Sequence, residues 1–227
     1  MTSNIKIVKK FEGDSFFKRN ISDIDSENLN SRSSEEVINF LNTNKYTFQN
    51  VLEVGCGGGY QLNKYFNSLN LKKNPYFLGI DLSSKAINFA KKKYNTLHFK
   101  QISSLKIQNL NKKFDMIILG FFLFLLDRDE IFNQFNEVVK SLKKDGILII
   151  NDFFPKIPHY NLSKHSKKIK IYKMRYDKFL TESHLFKKLH LISWKDEFKS
   201  KQKFLNNHIH VAVYKKIYFE EIFVKKT

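Results

Sequence analysis

The stretch VLEVGCGGGY, Val51 to Tyr60, places four glycines in five positions directly behind an apolar run. Glycine is costly inside regular structure because it loses the most backbone freedom on folding, so such a cluster marks a place where something approaches the main chain closely. An apolar strand ending near Val54, the turn, and then Tyr60, Leu62, Tyr65, Phe66 and Leu69 at helical spacing make a unit of strand, turn and helix. A dinucleotide site would need Gly-x-Gly-x-x-Gly, but the sixth position is Tyr60 counted from Gly55 and Leu62 counted from Gly57. A phosphate loop would end in Gly-Lys-Ser/Thr, and this turn ends in GGYQL. Both patterns fail.

Outward from this unit the same rhythm repeats. YFLGID is a second strand closing at Asp81, and Ser83 is placed to cap a helix carrying Ala86, Ile87, Ala90 and Tyr94. TLHFKQI and FDMIILG read as a third and a fourth strand. Ile131, Phe132, Phe135, Val138, Val139 and Leu142 mark an amphipathic helix, which Asp145-Gly146 ends before a fifth strand, GILIIND. Strands that are apolar throughout and alternate with helices predict a parallel sheet covered on both faces.

Upstream, FEGDSFFKRN is an aromatic, charged arm and ISDIDSENLN a polar loop; a capping box, Ser33 to Glu36, opens a helix from about Ser34 to Asn44. After Asp152 the pattern lapses. Residues 153–176 hold two of the three prolines and read as a long functional loop. DKFLTESHLFKKL then predicts a helix, LHLISWKDEF and HIHVAVYKKI two antiparallel strands, while YFEEIFVKKT stays open between strand and helix.

The fold class expected is α/β: a doubly wound, mostly parallel seven-stranded sheet with an antiparallel C-terminal hairpin and helices on both faces. Residues 1–45 form an arm and leading helix, 46–152 the ligand-binding core, 153–176 a substrate loop, and 177–227 a helix and strands completing the same sheet.

The 227 residues are 42% hydrophobic, enough for one sizeable core. The longest apolar run, MIILGFFLFLL from Met116, is too short to span a bilayer. The N-terminus lacks a secretory pattern and Cys56 has no second cysteine to pair with, so a cytoplasmic protein without a metal site is expected. The net charge of +18 is nearly all lysine, with arginine at 19, 32, 128 and 175, in a chain also rich in Asn, Ile and Phe. An AT-rich genome imposes that composition. From Phe153 onward 18 Lys/Arg face 6 Asp/Glu. An anionic small acceptor or a solvated surface is a stronger expectation for this excess than nucleic acid.

Glu53-x-Gly55-x-Gly57-x-Gly59 at the end of the first parallel strand, with Asp81 closing the next, resembles the class I S-adenosylmethionine-dependent methyltransferases of the small-molecule type. The resemblance implies S-adenosyl-L-methionine as cofactor and S-adenosyl-L-homocysteine as product. Ligands of doubly wound sheets sit at the carboxyl ends of the strands, at the switch point, where glycines admit the ligand. Asp81, with Leu82 beside it, is implied to accept the ribose hydroxyls, and Glu53 to face the cationic amino-acid end. Gly55, Cys56, Gly57 and Gly59 form the turn. KFDMIILGFFLFLL matches the family's fourth strand and the segment after it, so Leu119, Gly120 and Phe121 are carried over as cofactor neighbours. Where the family usually has an acid for the adenine amino group, FKQISSLKI offers Ile102, Ser103 and Ser104, and the contact falls to Ser103, Ser104 or backbone. In the arm, Arg19 is a candidate partner for the methionine carboxylate and Phe16 or Phe17 a shield for the sulfonium.

A sulfonium methyl is already activated, so in-line positioning supplies much of the rate, and a base helps when the acceptor is a hydroxyl. The base candidates follow the fifth strand: His165 first, then Asp152 and His159. Phe154, Tyr160, Tyr172, Lys173 and Tyr176 are the candidate substrate contacts, whereas His98, His208 and His210 fall in strands and read as structural. A small-molecule acceptor is the leading expectation, with a sugar or sugar-nucleotide hydroxyl as the candidate. The rivals are an RNA or protein methyltransferase and a non-catalytic cofactor-binding subunit. Against nucleic acid, LGFFLF stands where amine-methylating enzymes commonly carry Asn/Asp-Pro-Pro-aromatic.

Overall fold

The computed structural model describes residues 4–8, 13–25, 32–193 and 209–217. Its strands are β1 (Phe48–Val54), β2 (Leu71–Asp81), β3 (His98–Gln101), β4 (Phe114–Gly120), β5 (Leu142–Phe153), β6 (His159–Leu162), β7 (Lys170–Lys173), β8 (Phe186–Ser193) and β9 (Ile209–Lys216). The helices are α1 (Asn4–Ile7), α2 (Gly13–Asp25), α3 (Arg32–Thr43), α4 (Tyr60–Ser68), α5 (Ser84–Lys93), α6 (Glu130–Ser141) and α7 (Tyr176–Glu182).

Seven strands form one sheet in the order β3-β2-β1-β4-β5-β9-β8. The first five are parallel, and β9 runs antiparallel to both β5 and β8. From β1 the chain winds outward through β2 to β3, then returns to the other side through β4 to β5. The strand order therefore reverses between β1 and β4, which is the switch point where such sheets bind ligands.

The unbroken apolar character of the strands has a direct cause in the two cores. Val51, Met116 and Ile149 join Leu41 of α3, Leu62 of α4 and Ile87 of α5 on one face. Their neighbours Leu52, Ile117 and Ile150 join Phe135 and Val138 of α6 and Leu180 of α7 on the other. Successive strand residues point to opposite faces, so a sheet covered twice needs apolar residues at every step. Full burial of each such side chain contributes about 1.5–3 kcal/mol. This is the doubly wound α/β architecture expected from the sequence. Among the described residues, no helix is long and apolar enough to cross a membrane.

Several local expectations give way. The polar ISDIDSENLN stretch continues α2 as far as Asp25 instead of forming a loop throughout. The helix α3 begins at Arg32, which puts Ser33 inside the first turn and buries it, so the Ser33 to Glu36 capping box is not the start signal. Strand β2 begins at Leu71, before Pro75. Between Phe48 and Asn50 of β1 the partners jump from Leu71 to Tyr76, and this bulge takes up the proline and the left-handed Asn74.

Residues 153–176 are not a plain loop, because β6 and β7 pair as a separate antiparallel hairpin. The helix predicted over 177–189 stops at Glu182. His184 takes φ 54° and the chain turns into β8, whose residues from Phe186 onward pair with β9. Pairing across the sheet wins over helical periodicity there. The sequence segments 194–208 and 218–227 lie outside the described residues.

Candidate active site

The glycine turn is built around what each added side chain would strike. Gly57 has φ +50° and a Cβ there would meet nothing within 4 Å, so its open side faces a cleft. At Gly59, φ +84°, a Cβ would stand 2.7 Å from the Phe99 ring, so this glycine serves helix and sheet packing. The Gly55 and Cys56 amides donate to the Ile80 carbonyl at 2.9 and 3.1 Å, locking the turn onto β2.

Asp81 ends β2 and completes that lock. Its Oδ2 accepts the Gly57 amide at 2.9 Å and its Oδ1 the Ser83 amide at 2.8 Å. Burial pushes its carboxyl up from the ordinary range, against these amides, which favour the charged form. Ser83 caps α5 by accepting the Ala86 amide at 3.1 Å and donates its own hydroxyl to Asp14 of α2 at 2.6 Å. The Ser84 hydroxyl and the Lys85 amide also donate to Asp14, at 3.3 and 3.2 Å, so α2 is fastened over the N-terminus of α5. From α2, Phe17 packs on Phe89 with ring centroids 5.4 Å apart.

Glu53 lies one residue before the end of β1 and is 2% exposed. The Leu62 amide bonds its carboxyl, but Oε2 has no hydrogen-bond partner among the described residues. Burial first, and then the negative charge of Asp81, push Glu53 well above the usual carboxylate range. A buried acid with an unused oxygen, behind a turn open to a cleft, suits a cationic ligand group, which favours its charged form.

The cleft encloses about 610 Å³, within the ordinary range for ligand sites. Gly55, Gly57, Asp81, Leu82, Ser104 and Gly120 line one half, with Phe16 and Phe17 of α2 across from them. Phe121, Phe124, Phe153, His165 and Lys173 line the other. The structure thus brings Gly55, Gly57, Asp81, Leu82, Ser104, Gly120 and Phe121 to one cavity with His165 and Lys173. Glu53, Cys56, Gly59 and Leu119 are absent from the lining and lie buried just behind its wall.

Other candidates lie elsewhere. Ser103 spends its hydroxyl capping the turn at Ser104–Leu110 by accepting the Leu105 amide at 3.3 Å. Arg19 sits on the exposed side of α2, outside the lining that Phe16 and Phe17 join. Asp152 is fully buried: Oδ2 accepts the Leu123 amide at 2.8 Å and Oδ1 the Phe153 amide at 2.7 Å. Desolvation outweighs these amides and pushes its carboxyl up to about 8. It holds the segment after β4 in place and does not face the cleft. His159 turns Nδ1 onto the Ile157 carbonyl at 2.9 Å, and Phe154 packs on the His210 ring.

Tyr160 and Tyr172 oppose each other across the hairpin with centroids 6.2 Å apart, also outside the lining, while Tyr176 is buried and donates to the Tyr172 carbonyl at 2.9 Å. Sequence reasoning overlooked Asn161, Ile169 and Ile171, which line the cleft. The alternation in IKIYK, with Ile169, Ile171 and Lys173 two apart, was the available signal.

A doubly wound sheet whose second strand ends in an acid beside a ligand-facing glycine turn defines the fold of class I S-adenosylmethionine-dependent methyltransferases. The chain belongs to that family: a model described as "Methyltransferase domain" matches residues 48–216. The chain resembles magnesium protoporphyrin IX methyltransferase from Synechocystis PCC 6803 with bound SAM, at TM-score 0.67 and 15% identity, covering 96% of this chain and 99% of that one. The N-methyltransferase NodS from Bradyrhizobium japonicum WM9, in complex with S-adenosyl-L-homocysteine, gives TM-score 0.64 and 17% identity over 89% of this chain and 97% of that one.

In sequence it is 26% identical to the malonyl-[acyl-carrier protein] O-methyltransferase of Acetivibrio thermocellus over 164 residues, 68% of this chain and 55% of that protein. The chain spans 25–55% of the length of the curated relatives it matches. S-adenosylmethionine is the cofactor of the family, and the unused Glu53 oxygen, the Asp81 carboxylate and the open side of Gly57 fit it.

Proposed function

We propose that this protein transfers a methyl group from S-adenosylmethionine to a small acceptor held between the segment after β4 and the β6–β7 hairpin. The observation that carries this reading is the continuity of one cleft from Gly57 and Asp81 to His165 and Lys173. When bound, S-adenosylmethionine supplies a methyl group already activated by its sulfonium. Asp81 accepts the ribose hydroxyls, with its carboxylate held in place by the Gly57 and Ser83 amides. Glu53 balances the positive amino-acid end. Phe16 and Phe17, fastened through Asp14, keep water from the reacting centre.

His165 is the one histidine among the described lining residues, and it takes the proton when the acceptor is a hydroxyl. An acceptor that is already an anion needs no base. The named relatives include both an O- and an N-methyltransferase, so kinship leaves the atom open. The basic residues of the hairpin support an anionic acceptor. A sugar nucleotide, the expectation drawn from the Lys-rich last third, has less support, because among the described lysines of that third only Lys164 and Lys173 line the cleft and aromatic rings fill much of the remaining wall.

Incubation with labelled S-adenosylmethionine and separated metabolite, RNA and protein fractions tests the reading. Label in the metabolite fraction supports it, and label in RNA or protein selects that rival instead. No transfer to any fraction, with S-adenosylhomocysteine still bound, would make the protein a cofactor-binding subunit. For a hydroxyl acceptor, His165→Ala cuts turnover by roughly 10²–10⁴-fold and leaves cofactor affinity unchanged.

A further inference from the structure

The cleft opens between two exposed apolar side chains. Phe16 of α2 and Leu162 at the end of β6 both line it, yet they are 55% and 47% exposed. Lining residues so far in water mark its mouth. On the hairpin side the mouth continues outward in Tyr160, 56% exposed, which precedes Leu162 by two residues and so shares its face of β6. Ile157, 59% exposed, stands just ahead of the strand. Apolar side chains scattered singly on a surface need no explanation, but these three fall within six residues beside a ligand cleft.

The same segment is cationic. Residues 153–176 hold seven Lys/Arg and no Asp/Glu. Over the whole chain 22 Asp/Glu accompany 40 Lys/Arg, so a lysine-rich composition does not by itself clear a stretch of acids. Lys164, Lys167 and Lys168 are all exposed and all lie in the turn between β6 and β7. Hydrogen bonds fix that turn. Ser163 Oγ accepts the His165 and Ser166 amides at 3.2 and 3.4 Å, the Ser163 amide donates to the Ile169 carbonyl at 2.9 Å, and the Ile169 amide donates to the Ser166 carbonyl at 3.0 Å. On the outer face of the hairpin the Lys170 ammonium stands 5.4 Å from the centre of the Tyr160 ring. Lysines thus flank the apolar strip both at its end and along its length.

This combination of apolar tips and positive charge is complementary to one kind of partner. A bilayer surface takes leucine and tyrosine side chains at headgroup level, where the amphipathic Tyr ring is favoured, and its anionic headgroups attract the lysines. Each lysine close to such a surface tightens binding about fivefold. A nucleic acid would meet the charge but would leave Ile157 and Leu162 without an apolar contact.

We propose that the β6–β7 hairpin docks on an anionic lipid surface, with Tyr160 and Leu162 in the headgroup layer and the lysines of the turn against the phosphates. The mouth of the cleft, with Leu162 on its rim, then opens toward the membrane. This docking goes beyond the methyltransferase reading and stands on the hairpin surface alone.

Co-sedimentation of the full chain with phosphatidylcholine vesicles, and with vesicles of an equal mixture of phosphatidylcholine and phosphatidylglycerol, tests the proposal. The protein is expected to bind the mixed vesicles about tenfold or more tighter than the neutral ones. Replacing Tyr160 and Leu162 together by Ser, which leaves the charge unchanged, should weaken that binding about tenfold or more. Lys167→Gln combined with Lys168→Gln should do likewise. An oligouridylate supplied at equal phosphate should not displace the protein from the mixed vesicles. Thermal unfolding checks that both variants keep the fold.

No binding to the mixed vesicles, or equal binding to both kinds, overturns the proposal. Undiminished binding of the folded serine variant also overturns it, since the attraction would then belong to the lysines alone. Displacement by the oligouridylate would select a nucleic acid as the partner instead. If the serine variant does not fold, the paired lysine variant decides, and undiminished binding by it overturns the proposal. S-adenosylhomocysteine binding, measured without vesicles, tests the methyltransferase reading separately, so failure of either leaves the other standing.

Discussion

Asp81 Oδ2 accepts the Gly57 amide at 2.9 Å, so the acid that ends β2 also fixes the glycine turn that follows β1. One carboxylate therefore shapes the turn and presents its remaining lone pairs to the cleft. Asp81→Ala removes both functions and is expected to weaken S-adenosylhomocysteine binding by about 1–3 kcal/mol, the cost of a lost charged partner. Asp81→Asn, which keeps one acceptor, should lose less. Titration calorimetry measures both, and an unchanged dissociation constant for Asp81→Ala would remove this residue from the site.

The two glycines two residues apart should fail in different ways. Gly57→Ala puts a methyl group where no protein atom lies within 4 Å, so apart from left-handed strain of roughly 1–2 kcal/mol it should spare the fold and lose cofactor binding. Gly59→Ala drives a methyl group to within 2.7 Å of the Phe99 ring and should lower stability first. Thermal unfolding and calorimetry on both proteins separate the outcomes. Equal loss of stability in the two would contradict the assignment of Gly57 to the ligand.

Glu53 should release a proton when the cofactor binds. In the free protein burial and the Asp81 charge hold its carboxyl well up, favouring the neutral acid. A cationic ligand favours the carboxylate and lowers that value, so protons leave on binding and affinity rises with pH between the two values. Calorimetry in buffers of different ionisation enthalpy counts the protons. Glu53→Gln should release none and bind more weakly, and a wild-type protein that releases none would rule out the role given to Glu53.

Asp152 sets a pH dependence of stability with the opposite sign to most carboxylates. Its folded value, about 8, lies above the ordinary value of 3.8, so the folded state holds the proton that the unfolded state gives up. That contribution is fully present below about pH 4 and is lost as pH rises to about 8, by roughly 2–5 kcal/mol in all. Urea unfolding of wild type and Asp152→Asn across this range should show the difference between them moving in the variant's favour as pH rises. A constant difference would mean that Asp152 ionises normally.

The fastening of α2 predicts a smaller effect at a distance. Asp14→Ala removes the acceptor for the Ser83 hydroxyl and the Lys85 amide and should cost about 1 kcal/mol of stability, as loss of a helix cap does. It should also quicken S-adenosylhomocysteine release, because Phe16 and Phe17 lose their anchor over the cleft. Stopped-flow release rates test this, and an unchanged rate would show that α2 does not hold the ligand.

The sequence by itself determined the sheet and its ligand edge. Apolar residues at every step of β1, β2, β4 and β5 require cover on both faces, and that requirement is local to each strand. Gly57 and Asp81 were legible for the same reason: each sits at the end of a strand whose place in such a sheet is fixed by order alone. Only the tertiary structure decided the acceptor half. Asp152 is engaged by the amide of Leu123, 29 residues before it, a partner that no local pattern predicts. Both faces of the β6–β7 hairpin mix apolar and polar residues, so alternation could put Ile171 and Lys173 on one face but could not say which face turns inward. Packing did. The Asn4 side chain pairs with the Lys170 main chain, donating to its carbonyl at 2.7 Å and accepting its amide at 3.2 Å. Arg128 stacks 4.2 Å over the Tyr172 ring, and neither residue lines the cleft. These contacts, distant in sequence, leave Ile171 and Lys173 facing in and Tyr160 and Tyr172 facing out.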